Sequence, residues 1–209
     1  MLQYITNSSA PMPIVDQVFA AIEGGCRWVQ IRMKDASDDE IRKVVETIKP
    51  DCEKKEVFLL LHSRVDLAKE LNVGGVCLEK GDMPSSKARM TLGAAAVIGV
   101  DASDISDVIA VSNLDIDFFA LGPFASRDKS KTGAPYLGIE GMRDICYQMA
   151  EKQIEIARVA YGGIKLDDVL PLIEAGANGI AVSSAIAFAK DPVKETERFI
   201  AALPHPPKD

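Results

Sequence analysis

The chain is poor in the residues on which metal-stapled, disulfide-bonded and nucleic-acid-binding proteins depend. It has two histidines, His62 and His205, and four cysteines, Cys26, Cys52, Cys77 and Cys146. The cysteines are scattered and form no CxxC pair, so no structural zinc site is expected. Reduced thiols of a cytoplasmic protein are the plain reading. Basic excess is also missing: the formal charge is −7, which argues against a general nucleic-acid binder. A small anionic ligand stays open, because a local cluster of Lys and Arg suffices for one. No run approaches the roughly 18 consecutive apolar residues of a membrane span. The opening Leu2-Gln3-Tyr4-Ile5-Thr6 has no basic region before an apolar stretch, so no signal peptide is expected.

What is present is alternation. Short apolar runs predict strands at Leu2–Thr6, Arg27–Ile31, Val57–Leu61, Gly74–Leu78, Ala95–Val100, Asp117–Leu121, Glu155–Ala160 and Gly179–Val182. Segments of helical period fall between them: Ile14–Gly24, Ser37–Lys49, Arg64–Leu71, Ser85–Leu92, Ser103–Val111, Ile139–Lys152 and Leu166–Ala175, with Pro192–Leu203 last. Eight strand-helix repeats predict an α/β protein with a (β/α)₈ TIM barrel. With 209 residues it is a short single-domain form, a barrel over 1–203 with a frayed tail at 204–209. An open doubly wound sheet is the rival. Its glycine-rich fingerprint should follow the first strand, where Thr6-Asn7-Ser8-Ser9-Ala10-Pro11 stands instead. The connection from Gly122 to Gly138 exceeds about 12–15 residues, a length that usually marks a functional or disordered segment.

Polar residues gather where these strands end. The seventh predicted strand runs into Gly162-Gly163 and the eighth into Ser183-Ser184. Glycines permit close backbone approach, and the loops after the last two barrel strands commonly bind phosphate. Gln30, Arg32 and Lys34 alternate past the second strand, so an extended chain projects them to one side, as a diphosphate grip or as a solvated rim. His62 follows the third strand and can serve as acid, base or ligand, or simply as a packed hydrogen-bonding residue. Glu79 and Asp82 after the fourth supply oxygens of the type magnesium prefers, or ordinary surface charge. Asp101 puts a carboxylate at the end of the fifth. Arg127, Lys129 and Lys131 lie in the long connection, either solvated or on a lid over an anionic substrate.

Taken in order, these marks resemble the thiamine phosphate synthase family and its thiazole tautomerase (TenI-like) branch. Gln30-Ile31-Arg32-Met33-Lys34 is similar to the family's QxRxK segment. Arg64-Val65-Asp66-Leu67-Ala68 is similar to its third-strand exit, and Gly122 to Lys129 to its GPxFPTxTK loop, shortened by one residue. Gly162-Gly163-Ile164 and Val182-Ser183-Ser184-Ala185-Ile186 resemble its two phosphate turns. The resemblance implies a transferase of thiamine biosynthesis that joins a hydroxymethylpyrimidine diphosphate to thiazole phosphate and releases pyrophosphate. It implies a diphosphate held by Gln30, Arg32, Lys34 and Lys129, and a thiazole phosphate held by Gly162, Gly163, Ser183 and Ser184. It also implies magnesium on Asp82; Glu79 is this chain's own candidate for a second metal carboxylate. The partners it implies are small phosphorylated heterocycles rather than nucleic acid or membrane, and a homo-oligomer is compatible.

The chain also departs from the family. His62-Ser63 replaces an Asn-Asp pair whose aspartate binds metal. Cys77 and Glu79 replace a histidine and a glycine, Asp101 a serine, and Ser126 and Asp128 two threonines. Pro123 stands where the tautomerase branch has a histidine. A tautomerase acting through His62, Cys77 or Asp101 is the alternative, and a non-catalytic binder of a phosphorylated metabolite is a third reading. The catalytic candidates are therefore His62, Asp101 and Lys129.

Overall fold

A computed structural model describes residues 1–125 and 136–204. Lys129, its neighbours Arg127, Asp128 and Lys131, and the tail from His205 lie outside the described residues. Strands β1 (Leu2–Ile5), β2 (Trp28–Ile31), β3 (Phe58–His62), β4 (Gly75–Leu78), β5 (Val97–Ala102), β6 (Phe118–Leu121), β7 (Ala157–Tyr161) and β8 (Gly179–Val182) pair in parallel and in order. The β1–β8 pairing closes the barrel through Leu2 opposite Ile180 and Tyr4 opposite Val182. Helices α1 (Ile14–Glu23), α2 (Asp38–Lys54), α3 (Val65–Glu70), α4 (Ser85–Leu92), α5 (Ile105–Val111), α6 (Gly138–Glu151) and α7 (Val169–Glu174) each follow a strand. After β8 come a short α8 (Ser184–Ala187) and α9 (Pro192–Ala202), which together cover the predicted last helical stretch and its lead-in.

Alternation along the strands builds two cores. Residues facing the helices, among them Val29, Ile31, Leu59, Leu61, Phe119 and Ile180, form the larger one. Inward residues fill the barrel with Leu60, Cys77, Phe118, Ala120, Val159 and Ala181, over Trp28 and Val97. Trp28 and Phe118 meet edge to face at 5.1 Å. Gly99 leaves room for the Phe118 ring, which a Cβ there would meet at 2.1 Å.

The second helix begins and ends for legible reasons. Ser37 Oγ accepts from the Glu40 amide at 3.3 Å, while the Ser37 amide donates to Glu40 Oε2 at 2.8 Å, a reciprocal capping box. Pro50 lacks an amide hydrogen, and from sequence it ends the helix at Lys49. The helix instead runs on to Lys54, because Cys52 extends the buried stripe of Ile41, Val45 and Ile48. Ser37→Ala should cost about 1 kcal/mol, read as a drop of roughly 2–4 °C in thermal midpoint. An unchanged midpoint would show that the cap is not holding this helix start.

Candidate active site

Parallel closure sends every strand's C-terminal end to one face, and the polar residues follow. A cavity of 220 Å³ opens there, lined by Gln30, Arg32, His62, Glu79 and Asp101 on one side and Gly162, Gly163, Ser183 and Ser184 on the other. Nine of the sequence-predicted site residues thus share one mouth. Lys34 stands at its rim, donating to Glu79 Oε2 at 2.6 Å. Asp82 is outside the lining: its Oδ2 accepts from the Ser63 hydroxyl at 2.5 Å and the Glu79 amide at 2.7 Å, fixing the turn after β4. Gln30 sits deeper than the cations, 2% exposed, with Nε2 3.0 Å from His62 Nδ1. It reaches the histidine rather than the Lys34 rim.

The β2–β4 sector is an ionic network. His62 Nε2 lies 3.3 Å from Glu79 Oε1, and the Arg32 guanidinium lies 3.6 Å from the same oxygen. Burial drives the His62 pKa down to about 4, against the pull of Glu79 and with the push of Arg32 and Lys34. The ring is therefore neutral near pH 7. A donor at Gln30 Nε2 suits an unprotonated Nδ1, which leaves the proton on Nε2 facing Glu79. Burial raises the Glu79 pKa, but the Lys34 hydrogen bond and the His62, Lys34 and Arg32 charges outweigh it, so the carboxyl stays below its ordinary value. Arg64 fastens the exit of β2, with its guanidinium 3.3 Å from the Lys34 carbonyl oxygen and 3.1 Å from Asp38.

Asp101 lines the cavity. Burial raises its pKa from 3.8 to about 6, the Tyr161 hydrogen bond opposes that rise, and Glu79 and Asp107 add to it. The same burial, with Asp101 and Glu79 nearby, pushes the Cys77 thiol far above neutrality. Cys77 is thus a floor residue and no nucleophile at neutral pH.

The β7–β8 sector is a backbone cup. Gly162 and Gly163 hold φ of +93° and +68°, values that favour glycine. The loop after β6 zips onto it: the Phe124 amide donates to the Tyr161 carbonyl at 2.8 Å and the Ala125 amide to the Gly162 carbonyl at 3.0 Å. Ser183 and Ser184 are set by Asn7, whose Nδ2 lies 3.3 Å from each hydroxyl. Asn7 in turn is held by buried Gln17, through its amide to Oε1 and its carbonyl to Nε2, both 2.9 Å. Tyr4 donates to the same Gln17 Oε1 at 2.8 Å.

Sequence reading missed Asn7, Tyr161 and Gln3. Asn7 looks like turn punctuation, and Tyr161 like the end of an apolar strand. Gln3 Nε2 and Gln30 Oε1 are buried in the cavity wall without a hydrogen-bond partner among the described residues. A polar residue inside an apolar strand, as at Gln3, was the available signal.

The fold and the site together define a closed (β/α)₈ barrel with cationic side chains and a glycine-serine cup at its C-terminal face, the face where such barrels commonly bind phosphate. More narrowly, the chain belongs to the thiamine monophosphate synthase family, whose model matches residues 2–186. It is 43% identical to the thiamine-phosphate synthase of Bacteroides fragilis over 199 residues, 95% of this chain and 98% of that one. The Bacteroides thetaiotaomicron thiamine-phosphate synthase is 42% identical over 95% of each chain. The solved thiamine phosphate pyrophosphorylase of Pyrococcus furiosus superposes with a TM-score of 0.85 at 28% identity, covering 96% of this chain and 94% of that one.

Proposed function

We propose that this chain is a transferase of the thiamine phosphate synthase type, joining a pyrimidine diphosphate to thiazole phosphate. One observation carries the reading. Two sectors of different make, a cationic rim and a backbone cup, open on one cavity of 220 Å³. Arg32 and Lys34, with Lys129 from the sixth loop, hold the diphosphate. Gly162, Gly163, Ser183 and Ser184 hold the thiazole phosphate. The bond between the pyrimidine methylene carbon and the diphosphate oxygen breaks, and the thiazole nitrogen bonds to that carbon. Asp101, ionised above about pH 6, faces the positive charge that forms between them. His62, neutral and braced by Gln30, lines the site beside Glu79 and carries no acid proton to donate near pH 7.

Magnesium is part of this reading. The described residues hold no group of three or more His, Cys, Asp or Glu side chains arranged for a metal ion. Two hard carboxylates on one turn, Glu79 and Asp82, still suit an ion whose other ligands come from water and substrate phosphate. Bound there, magnesium would neutralise the leaving diphosphate. The four free buried thiols support a cytoplasmic setting.

A coupled assay with both substrates and magnesium tests the function. Pyrophosphate should appear only when both substrates are present. Its absence at high enzyme concentration would rule the transferase out. Asp101, with a pKa near neutrality and a tyrosine partner, favours tautomerase chemistry as the second reading. That activity would isomerise a thiazole phosphate carboxylate in chelator without pyrophosphate release.

A further inference from the structure

The cationic rim is not an open patch. Lys34 Nζ lies 2.6 Å from Glu79 Oε2 and the Arg32 guanidinium 3.6 Å from Glu79 Oε1, so one carboxylate spans both cations assigned to the diphosphate. The Glu79 backbone is pinned by the hydrogen bond its amide donates to Asp82 Oδ2, while its side chain reaches across to the β2 exit. We propose that Glu79 is a resident counter-ion of the diphosphate grip, occupying Arg32 and Lys34 until an incoming diphosphate displaces it.

Physical chemistry favours exchange over a permanent lock. The side chains of Arg32, Lys34 and Glu79 are 43%, 45% and 35% exposed, and ion pairs at such exposure are weak. A diphosphate brings more charge and more acceptor oxygens than one carboxylate, so it wins both cations. It must still separate Glu79 from them and then sit beside that carboxylate, and like charges repel. Glu79 therefore tunes affinity for the diphosphate while leaving the β7–β8 cup untouched. Neutral His62, 3.3 Å from Oε1, adds no charge to that exchange. The proposal rests on reading Arg32 and Lys34 as the diphosphate grip.

The test uses inorganic pyrophosphate titrated calorimetrically into the full-length protein in chelator. Glu79→Gln should bind it about tenfold more tightly than wild type, since a neutral amide neither holds the cations nor repels the ligand. Glu79→Asp keeps the charge and should bind like wild type, which a purely steric role of Glu79 would not predict. Lys34→Gln should weaken binding in either background. Equal or weaker binding in Glu79→Gln, with the Lys34 dependence intact, overturns the counter-ion role and leaves the grip standing. If no variant shows Lys34-dependent pyrophosphate binding, the counter-ion and the diphosphate grip fall together.

Discussion

Asp101→Asn is expected to slow turnover about a hundredfold while making the protein more stable at neutral pH. The rate follows from the proposed reaction: there an ionised carboxylate faces the forming cation, and removing one preorganised charge of this kind costs about 10²–10³ in turnover. The stability follows from linkage. The Asp101 pKa is raised from 3.8 to about 6, mainly by burial. The folded protein therefore holds its proton across roughly pH 4–6, where the unfolded chain releases it. Stability falls as pH rises through that window, and the cost is complete above about 6. Below about 4 both states are protonated and the cost vanishes. A rise of this size is worth on the order of 2–3 kcal/mol at pH 7.5. Asparagine keeps the shape and an acceptor for Tyr161 while removing the charge. Urea unfolding should therefore give equal stabilities near pH 4 and a clear gain for the variant at pH 7.5. Wild-type turnover should rise through pH 6, and the variant should lose that limb. Full turnover in Asp101→Asn would place the reacting atoms elsewhere.

Much of this architecture is legible because barrel strands are buried on both sides. Runs such as Phe58-Leu59-Leu60-Leu61 then read as strands without help from alternation, and glycines mark where helices stop. The helix ends were less legible where packing overrides local chemistry, as Cys52 does beyond Pro50. Site residues at strand ends could be found because a closed parallel barrel brings all of them to one face. Their pairings could not. Nothing in the spacing of Lys34, His62 and Glu79 says that they meet, because the meeting depends on the register of β2, β3 and β4.

The departures from the family pattern also gain meaning in three dimensions. His62, Ser63, Cys77, Glu79 and Asp101 spread over about forty residues of sequence but pair up at or beside the mouth. His62 meets Glu79, Ser63 meets Asp82, and Cys77 feels Asp101. All five lie at the ends of β3, β4 and β5, away from the turns after β7 and β8 that form the cup.

That cup is where the largest loss is expected. Gly163→Ala should weaken binding of thiazole phosphate or inorganic phosphate by about a hundredfold and destabilise the protein by roughly 2–4 kcal/mol, since a strained backbone costs about 1–3 kcal/mol and the clash adds to it. At φ +68° an L side chain is strained, and its Cβ would sit 2.3 Å from the Ala125 carbonyl oxygen. Backbone cannot swing aside as a side chain can. Either the turn flattens, or the segment joined to it by the Phe124–Tyr161 and Ala125–Gly162 bonds gives way. Both outcomes shift the glycine turn relative to Ser183 and Ser184, the other half of the cup. Gly93→Ala is the matched control: φ is +89°, yet a Cβ there meets nothing within 4 Å. It should show the strain without the clash, a loss of roughly 1–3 kcal/mol, and bind phosphate like wild type. Calorimetric titration of phosphate and urea unfolding on both variants separate the effects. If Gly163→Ala lost no more stability than the control and bound phosphate normally, close packing of the two loops would not be what shapes the cup.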